Sequence, residues 1–460
     1  MTQDLIASST NRVVLGLGPT GLSVARYLHA RGETFAVADT RQSPPCLKTL
    51  QEEMPDVPVF AGNIPSQVLE TAGELIVSPG IALDDPVVAI ASGAGVPVAG
   101  DIDLFAAAAT APIIGITGSN AKSTVTALLG DMAARAGLQC GVGGNLGTPA
   151  LELLDPQTEL YIIELSSFQL ERAGALNLEV ATVLNLTADH LDRHGSMPRY
   201  HQIKHRVFRG ANKAVLNLDD TLTIPLVDES VELISWRLRE PALNGFGLRT
   251  IDGVEYLCHG FEPVLASSAL GLSGRHNLAN ALAALALGFA AGLPFSAMRL
   301  SLENFHGLPH RCERVAELDG VVYVNDSKGT NVGATDAAIR GLGQDHNVIL
   351  IAGGQGKGAE FASLAGSVSA HCKRVVLLGE AAPQLRLALQ DSSPVTVVDS
   401  MEAAVLAAAE VASSGDTVLL SPACASFDMF SGYAQRGEAF CAAVAALAEA
   451  GSDSAKGRDA

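Results

Sequence analysis

Hydrophobic runs recur along the chain, each ending in a Gly-, Ser- or Asp-rich loop and followed by a helical pattern. That alternation predicts an α/β fold with largely parallel sheets. The first region opens with RVVLGLGPTGLSVARYLHARGETFAVADTR. Strand-like RVVLGL leads into a helix with Leu22, Ala25 and Leu28 on one face, stopped by Gly32, and strand-like TFAVAD follows. ELIVSPG and VPVAGDIDLF extend the same sheet. The second region begins near FAAAATAP and contains PIIGITGSNAKSTVTALLGDMAARAG, YIIELSSFQLE, VATVLNLTADHLD and AVLNLDD. Between about 220 and 270 the pattern turns β-like and irregular, then recovers at the apolar helix GRHNLANALAALALGFAAGL. The third region starts near residue 308, with strands VVYVNDS, NVILIAGG, RVVLLGE, VTVVDS and TVLLSPA.

A chain of 460 residues is long enough for about three such domains. No apolar run reaches the roughly 18–20 residues of a membrane span, and the start, MTQDLIASSTNR, does not read as a signal peptide. Seven scattered cysteines without a C-x-x-C pair favour free thiols in a reducing cytoplasm, so a cytoplasmic protein is expected. The net charge of −19 opposes nucleic acid and anionic membranes as partners. It also requires that positive groups be gathered locally wherever a phosphorylated substrate binds.

Two glycine turns are candidates for that role. Gly16, Gly18 and Gly21 fit G-x-G-x-x-G, with Asp39 ending the next strand. Alone this is a dinucleotide fingerprint, and it makes an NAD-dependent dehydrogenase one reading. The glycines only permit close backbone approach, so any nucleotide diphosphate over a helix N-terminus fits as well. The second turn, ITGSNAKST, misses the glycines of G-x-x-x-x-G-K-[ST] at Ile116 and Ala121. It keeps what phosphate binding needs: a strand aimed at the loop, the turn Gly118, Ser119, Asn120, and a helix with Val125, Leu128, Leu129, Met132 and Ala136 on its buried face. Lys122 would reach terminal phosphates, the hydroxyl of Ser123 or Thr124 would reach Mg²⁺, and Ala121 is expected to keep φ negative. Glu164, closing a strand, suits either a Mg²⁺ ligand or a structural carboxylate. Asp189 and His190 follow a strand at the same expected sheet edge. Lys204 has no obvious part, because lysine is not a magnesium ligand.

ITGSNAKST, ELSSFQLE, NLTADHLDRHG with YHQIKHR, GRHNLANALAAL, GLPHRCE, NDSKGTN, GGQGKG and SPACASFDMF occur in that order. Together they resemble the Mur ligases, specifically those that add glutamate, from about residue 12 to about 445. The resemblance implies a Rossmann-like UDP-substrate domain over 1–103, a central P-loop ATPase with a mostly parallel sheet over 104–307 and a Rossmann-like glutamate domain over 308–447, while the composition of the tail, 448–460, reads as disordered. It implies ATP-dependent amide formation between UDP-MurNAc-L-Ala and glutamate, through an acyl phosphate and a tetrahedral intermediate. The family's phosphate loop has the short form G-[ST]-N-[GA]-K-S-T, which residues 118–124 match.

By the same resemblance, Ser123, Glu164, His190 and a carbamate on Lys204 would hold two Mg²⁺ ions, the carbamate supplying the hard oxygen that an ammonium lacks. Asn277, Asn280, His310, Arg311, Asp326 and Lys328 match the ATP side. On residues alone, Asn277 also reads as a helix N-cap. Thr20, Asp39, Thr40 and Arg41, with Gly18, Ser78, Gly80, Asn145 and His190, match contacts to the UDP-linked substrate. Lys328, Thr330, Lys357, Ser426, Phe427 and Tyr433 match the glutamate pocket. Catalysis would rest on Lys122, Glu164, His190, Lys204 and Arg311. Two departures touch the amino-acid side: Gln355 replaces aspartate in GG-D-GK, and SGYAQRG replaces K-N-F-x-x-R-G. They leave an L-glutamate-adding variant open beside the D-glutamate one. A regulatory ATP-binding protein and a folylpolyglutamate-synthase-like ligase are further alternatives. The latter would not begin with GLGPTG and ADTR. A monomer is expected, since no sustained apolar surface stripe marks a partner.

Overall fold

The computed structural model describes residues 11–456, apart from residue 273 and the side chains of 450–456. The opening residues 1–10 and the final 457–460 lie outside it. Three sheets carry the molecule. In the first, β1 (Arg12–Leu15), β2 (Phe35–Asp39), β3 (Val59–Ala61), β4 (Glu74–Val77) and β5 (Val98–Ala99) run parallel in the order β3-β2-β1-β4-β5. Its central strands are buried on both faces, so they read as continuous apolar runs and not as alternation. VPVAGDIDLF divides between β5 and a helix, Asp101–Ala108, capped by Asp103 on the Gly100 amide.

The second sheet holds β6 (Ile113–Thr117), β7 (Cys140–Gly144), β8 (Leu160–Glu164), β9 (Val180–Val183), β10 (Lys213–Asn217), β11 (Glu232–Trp236), β12 (Phe246–Ile251), β13 (Val254–His259) and β14 (Glu262–Ala266). Their order is β14-β13-β12-β11-β10-β9-β6-β8-β7. The irregular stretch 220–270 thus holds β11, parallel to β10, and then the antiparallel edge β12-β13-β14 on an otherwise parallel sheet. In the third sheet, β15 (Glu313–Leu318) pairs antiparallel with β16 (Val321–Asn325). β17 (Val348–Gly353), β18 (Cys372–Leu378), β19 (Val395–Val397) and β20 (Thr417–Leu420) complete the order β15-β16-β20-β17-β18-β19. Apolar layers cover both of its faces, one around Leu350, Leu385 and Leu419, the other around Ile351, Val405 and Phe440.

Contacts group the chain into two compact units: 1–186, 198–266 and 281–301, with the first two sheets, and 187–197, 267–280 and 302–460, with the third. The last helix, Tyr433–Lys456, continues through most of the stretch expected to be a disordered tail. AAVAALAEA supplies enough strong helix formers to carry it past residue 448.

In the first two sheets the strand order changes direction at an interior strand, and ligands of open α/β sheets bind in the crevice beyond such a point. In the first sheet it lies between β1 and β4, so the loops after both meet there. In the second it is β6, flanked by β9 and β8.

Candidate active site

After β1, Gly16 takes φ +96 and its amide bonds the carbonyl of Ala38 at 2.7 Å. A Cβ on Gly21 would lie 1.8 Å from the Gly16 carbonyl oxygen, so close packing of helix Pro19–Ala30 on the turn demands glycine at 21. A Cβ on Gly18 would meet nothing within 4 Å, which leaves that face open. Asp39 is buried. Its carboxylate accepts the Leu17 amide at 2.7 Å, the Arg41 amide at 2.8 Å and the Arg41 guanidinium at 2.6 and 2.9 Å. Burial alone would raise its pKa. The hydrogen bonds from Arg41 and from the Leu17 and Arg41 amides outweigh it and hold the carboxyl below its ordinary value. Thr40 and Arg41 are exposed beside it, and Thr20 is half-buried at the start of the helix. Ser78, after β4, donates to the Gly16 carbonyl at 2.8 Å and so ties the two crevice loops together.

The second turn is tighter. Gly118 has φ +155 and Ala121 has φ +68, the left-handed region, against the expected negative value. The backbone must reverse between β6 and helix Lys122–Arg135, and alanine, with only a methyl group, bears that conformation better than a larger side chain. The helix buries Val125, Leu128, Leu129 and Met132 as expected, with Ala133 in the core where Ala136 was expected. The Ser119 amide bonds the Asn185 carbonyl (2.9 Å) and the Asn120 amide bonds the Asn185 side chain (2.8 Å).

Lys122 arches back to the carbonyls of Gly118 (2.9 Å) and Ser119 (3.0 Å). Lys204, in helix Met197–His205, is 1% exposed, with Nζ 2.8 Å from the same Gly118 carbonyl and 3.2 Å from Thr117 Oγ1. Two lysine amines therefore converge on one carbonyl in a chain of charge −19. Tyr200, four residues before Lys204 and so on the same helix face, lies with its ring 5.0 Å from Nζ and its hydroxyl 3.1 Å from Ser119 Oγ. Glu164, 2% exposed at the end of β8, takes Ser123 Oγ on one oxygen (2.5 Å) and Asn145 Nδ2 on the other (2.6 Å). Thr124 is buried one residue on.

A hydroxyl, a carboxylate and an amide are hard, oxygen-bearing groups of the kind Mg²⁺ accepts. That ion needs only one or two carboxylates and keeps its own waters. Among the described residues no group of three or more His, Cys, Asp or Glu is placed to hold a metal. Sequence reading missed Thr117, Asn185 and Tyr200. The four-residue spacing of Tyr200 and Lys204 was the available signal.

In the second unit, His190 caps the short helix Leu191–His194 at φ +53, its amide on Asp189 Oδ1 at 3.0 Å. Asp189 Oδ2 accepts Asn331 Nδ2 at 3.1 Å. Asn277 lies inside helix Arg275–Ala290, not at its cap, and accepts Asn280 Nδ2 at 2.9 Å; both are buried. After β16, Asp326 accepts Ser421 Oγ (2.7 Å) and the Cys312 amide (3.2 Å), and burial pushes its pKa up to about 6. His310, at φ +62, meets Asn325 Nδ2 at 2.9 Å, and half-buried Arg311 follows it. Lys328 Nζ sits 4.0 Å from the centre of the Tyr433 ring, within cation–π range.

Thr330 is half-buried and Ser426 buried, whereas Phe427 and Lys357 are exposed, Lys357 at φ +48. Gln355 pairs backbone to backbone with Ala425, at 2.8 and 3.0 Å. Arg436, 1% exposed, bonds Ser327 and the carbonyls of Gly353, Cys424 and Ala425, fastening the three loops on which Lys328, Lys357 and Ser426 stand. Cys424 is a buried thiol, its pKa pushed by burial up to about 12.

Residues 10–100 match the description "Mur ligase MurD-like, N-terminal domain", 116–288 "Mur ligase middle domain" and 310–424 "Mur ligase, glutamate ligase domain". The chain is 53% identical to a Pseudomonas syringae pv. syringae protein named UDP-N-acetylmuramoylalanine--D-glutamate ligase, covering 96% of this chain and 99% of that one. A Pseudomonas aeruginosa protein of the same name is 52% identical, over 96% and 100%. Among solved structures, the UDP-N-acetylmuramate-alanine ligase MurC of Thermotoga maritima superposes with a TM-score of 0.58 at 16% identity, over 95% of this chain and 99% of that one. MurF of Acinetobacter baumannii gives 0.57 at 14%, over 91% and 90%. At those identities the likeness speaks to the fold alone. The first glycine turn lies within a Mur ligase N-terminal domain, which removes the ground for reading it as a dehydrogenase. The chain belongs to the Mur ligase family.

Proposed function

We propose that this protein joins D-glutamate to UDP-N-acetylmuramoyl-L-alanine with conversion of ATP to ADP and phosphate, a step of peptidoglycan precursor synthesis. The near-full-length relatives carry that name. The observation that carries the reading is the contact chain Ser123–Glu164–Asn145, in which one buried carboxylate joins the phosphate loop to the GGNLG loop. The substrate carboxylate accepts the terminal phosphoryl group of ATP. The glutamate amine then attacks the acyl phosphate, and the tetrahedral intermediate releases phosphate. The amine comes from the substrate, so positioning and electrostatics do most of the catalysis.

Residues 1–103 serve the uridine nucleotide, 104–307 ATP and 308–447 glutamate. Lys122 and the amides of 118–124 receive the phosphates, with Asn277, Asn280, His310, Arg311, Asp326 and Lys328 on the ATP side. Mg²⁺ neutralises phosphoryl charge when bound. Ser123, Glu164, His190 and Lys204 would hold two ions, Lys204 as a carbamate. Converting that amine to an anion would also replace repulsion from Lys122 by attraction. Gly18, Thr20, Asp39, Thr40, Arg41, Ser78, Gly80, Asn145 and His190 receive the UDP-linked substrate. Lys328, Thr330, Lys357, Ser426, Phe427 and Tyr433 receive glutamate. The protein works as a cytoplasmic monomer; among the described residues no helix is long and apolar enough to cross a membrane.

The test is phosphate release from ATP with UDP-MurNAc-L-Ala and, in parallel, D-glutamate, L-glutamate or no amino acid. Release with D-glutamate alone is expected. Release with L-glutamate alone would reassign the pocket around Gln355 and Tyr433. Release without any amino acid would favour a ligand-sensing ATPase, and none under any condition would sink the ligase reading.

A further inference from the structure

We propose that Arg172 is a positioning residue for the uridine-nucleotide end of the substrate, acting by holding the turn after β4 in shape. The proposal rests on the reading of Ser78 and Gly80 as contacts to that nucleotide. The Arg172 side chain is fully buried. Its Nε donates to the carbonyl of Phe168 at 3.1 Å. Nη1 donates to the carbonyls of Val77 (2.8 Å) and Ser78 (2.6 Å), and Nη2 to those of Ile81 (2.9 Å) and Pro79 (3.4 Å). A guanidinium has five N–H groups in a fixed plane, and these meet five backbone carbonyls, one at the end of β4 and three in the turn that follows it. Glu171 supplies the nearby counter-charge, with Oε2 3.7 Å from Nη2.

A buried cation is costly to desolvate, and fastening one loop to another would need only an apolar side chain. What the fork achieves is orientation. A trans peptide is planar, so a carbonyl drawn to one side sends the following N–H to the other. With the Pro79 carbonyl on Arg172, the Gly80 N–H points away from the guanidinium. The Ser78 hydroxyl, held on the same turn, bonds the Gly16 carbonyl at 2.8 Å and carries the constraint to the first glycine turn. Toward the second sheet, Arg172 follows helix Ser167–Leu170, whose cap is the reciprocal pair Ser166 and Gln169. Next to that cap, the Leu165 carbonyl accepts Thr117 Oγ1 at 2.7 Å, at the end of the strand feeding the phosphate loop. One side chain thus registers the first crevice against the segment that carries Glu164.

The test compares Arg172→Met and Arg172→Lys with Gly80→Val, by titration with UDP and by steady-state kinetics. A Cβ on Gly80 would meet nothing within 4 Å, so Gly80→Val meets only what binds there. Arg172→Met should raise KM for UDP-MurNAc-L-Ala and Kd for UDP at least about tenfold. KM for ATP and kcat should stay within about threefold. Arg172→Lys, a point charge with three donors in place of a planar fork, should recover only part of the loss. If Arg172→Met does not fold, Arg172→Lys is judged by the same split. Equal losses for ATP and UDP, or a lowered unfolding midpoint with unchanged UDP affinity, would reduce Arg172 to a structural role. If Gly80→Val weakens UDP binding and neither Arg172 variant does, the positioning proposal alone fails. If Gly80→Val has no effect, the reading of the turn as a nucleotide contact fails with it.

Discussion

After β1 and after β6 the chain makes the same move: an interior parallel strand ends, glycine turns the backbone and a helix begins. The two turns differ in how they handle charge. At the first, Asp39 and Arg41 neutralise one another and the segment Gly16–Gly21 has no lysine, so a ligand is offered backbone amides and a helix N-terminus. At the second, Lys122 and Lys204 meet on the Gly118 carbonyl, with buried Glu164 beside them on Ser123. A diphosphate that is only held can rely on amides. A triphosphate that must react needs mobile positive charge and a metal, because negative charge redistributes during transfer.

The largest expected effect breaks this comparison at its charged end. Lys122→Ala should lower kcat for phosphate release by about 10²–10³-fold, the usual cost of removing one preorganised electrostatic group. UDP affinity, measured by titration, should not change. A parallel loss of UDP affinity would mean that the two turns are not separate sites. Next comes the first turn's close packing. Gly21→Ala places a methyl group 1.8 Å from the Gly16 carbonyl, so the helix or the turn must move. A loss of roughly 1–3 kcal/mol in stability is expected, as for an overpacked core, read from urea unfolding. Gly18→Ala, which meets nothing, should be near neutral in the same assay.

The two turns were unequally legible in the sequence. Strand, turn and helix could be read at both from apolar runs ended by glycine, and Lys122 and Ser123 followed from their spacing. What escaped was whatever depends on tertiary approach. Lys204 lies 82 residues beyond Lys122, and nothing local says that its amine reaches Gly118. The link from Glu164 to Asn145 runs between β8 and the end of β7, adjacent strands whose pairing no periodicity reveals. The sign of φ at 121 was misjudged for a related reason. Left-handed backbone is expected at glycine, and here a helix start held by surrounding contacts imposes it on alanine. On the glutamate side the motifs named Lys328, Lys357 and Ser426, but the fastening of their three loops by Arg436 could not be read from them.

A smaller effect tests the neutral pairing at the first turn. Asp39 has a folded pKa below its unfolded value of about 3.9. A depressed carboxylate contributes stability above its unfolded pKa, and that contribution is lost as pH falls through the folded pKa. The stability difference between the parent protein and Asp39→Asn should therefore be constant above about pH 4 and shrink below it. Its size should be about 1 kcal/mol, because Arg41 is half exposed and solvent screens the pair. Asp326 has the opposite sign: with its pKa raised to about 6, its contribution weakens as pH rises from about 4 to 6. Between pH 4 and 6 the urea midpoint of Asp326→Asn should therefore rise relative to the parent's while that of Asp39→Asn keeps a constant offset, and the Asp39→Asn offset should shrink only below about pH 4.

The smallest effect concerns Ala121 itself. An L-residue in the left-handed region costs roughly 1–2 kcal/mol relative to the right-handed one, and glycine removes that cost. Against this, glycine has more freedom to lose on folding, about 0.4–1 kcal/mol. Ala121→Gly should therefore raise stability by about 0.8 kcal/mol, the difference of the midpoints of those two terms, whereas β-branched Ala121→Val should lower it. Calorimetry of the three proteins decides between the terms, and kcat shows what the strain is for. If Ala121→Gly is more stable and equally active, the alanine is tolerated only because its surroundings hold it. If it is more stable but slower, the methyl group stiffens the loop, and strain at 121 helps to aim the amides at the phosphates. A less stable Ala121→Gly would mean that the backbone there is not left-handed in solution, and the likeness of the two turns would end at their glycines.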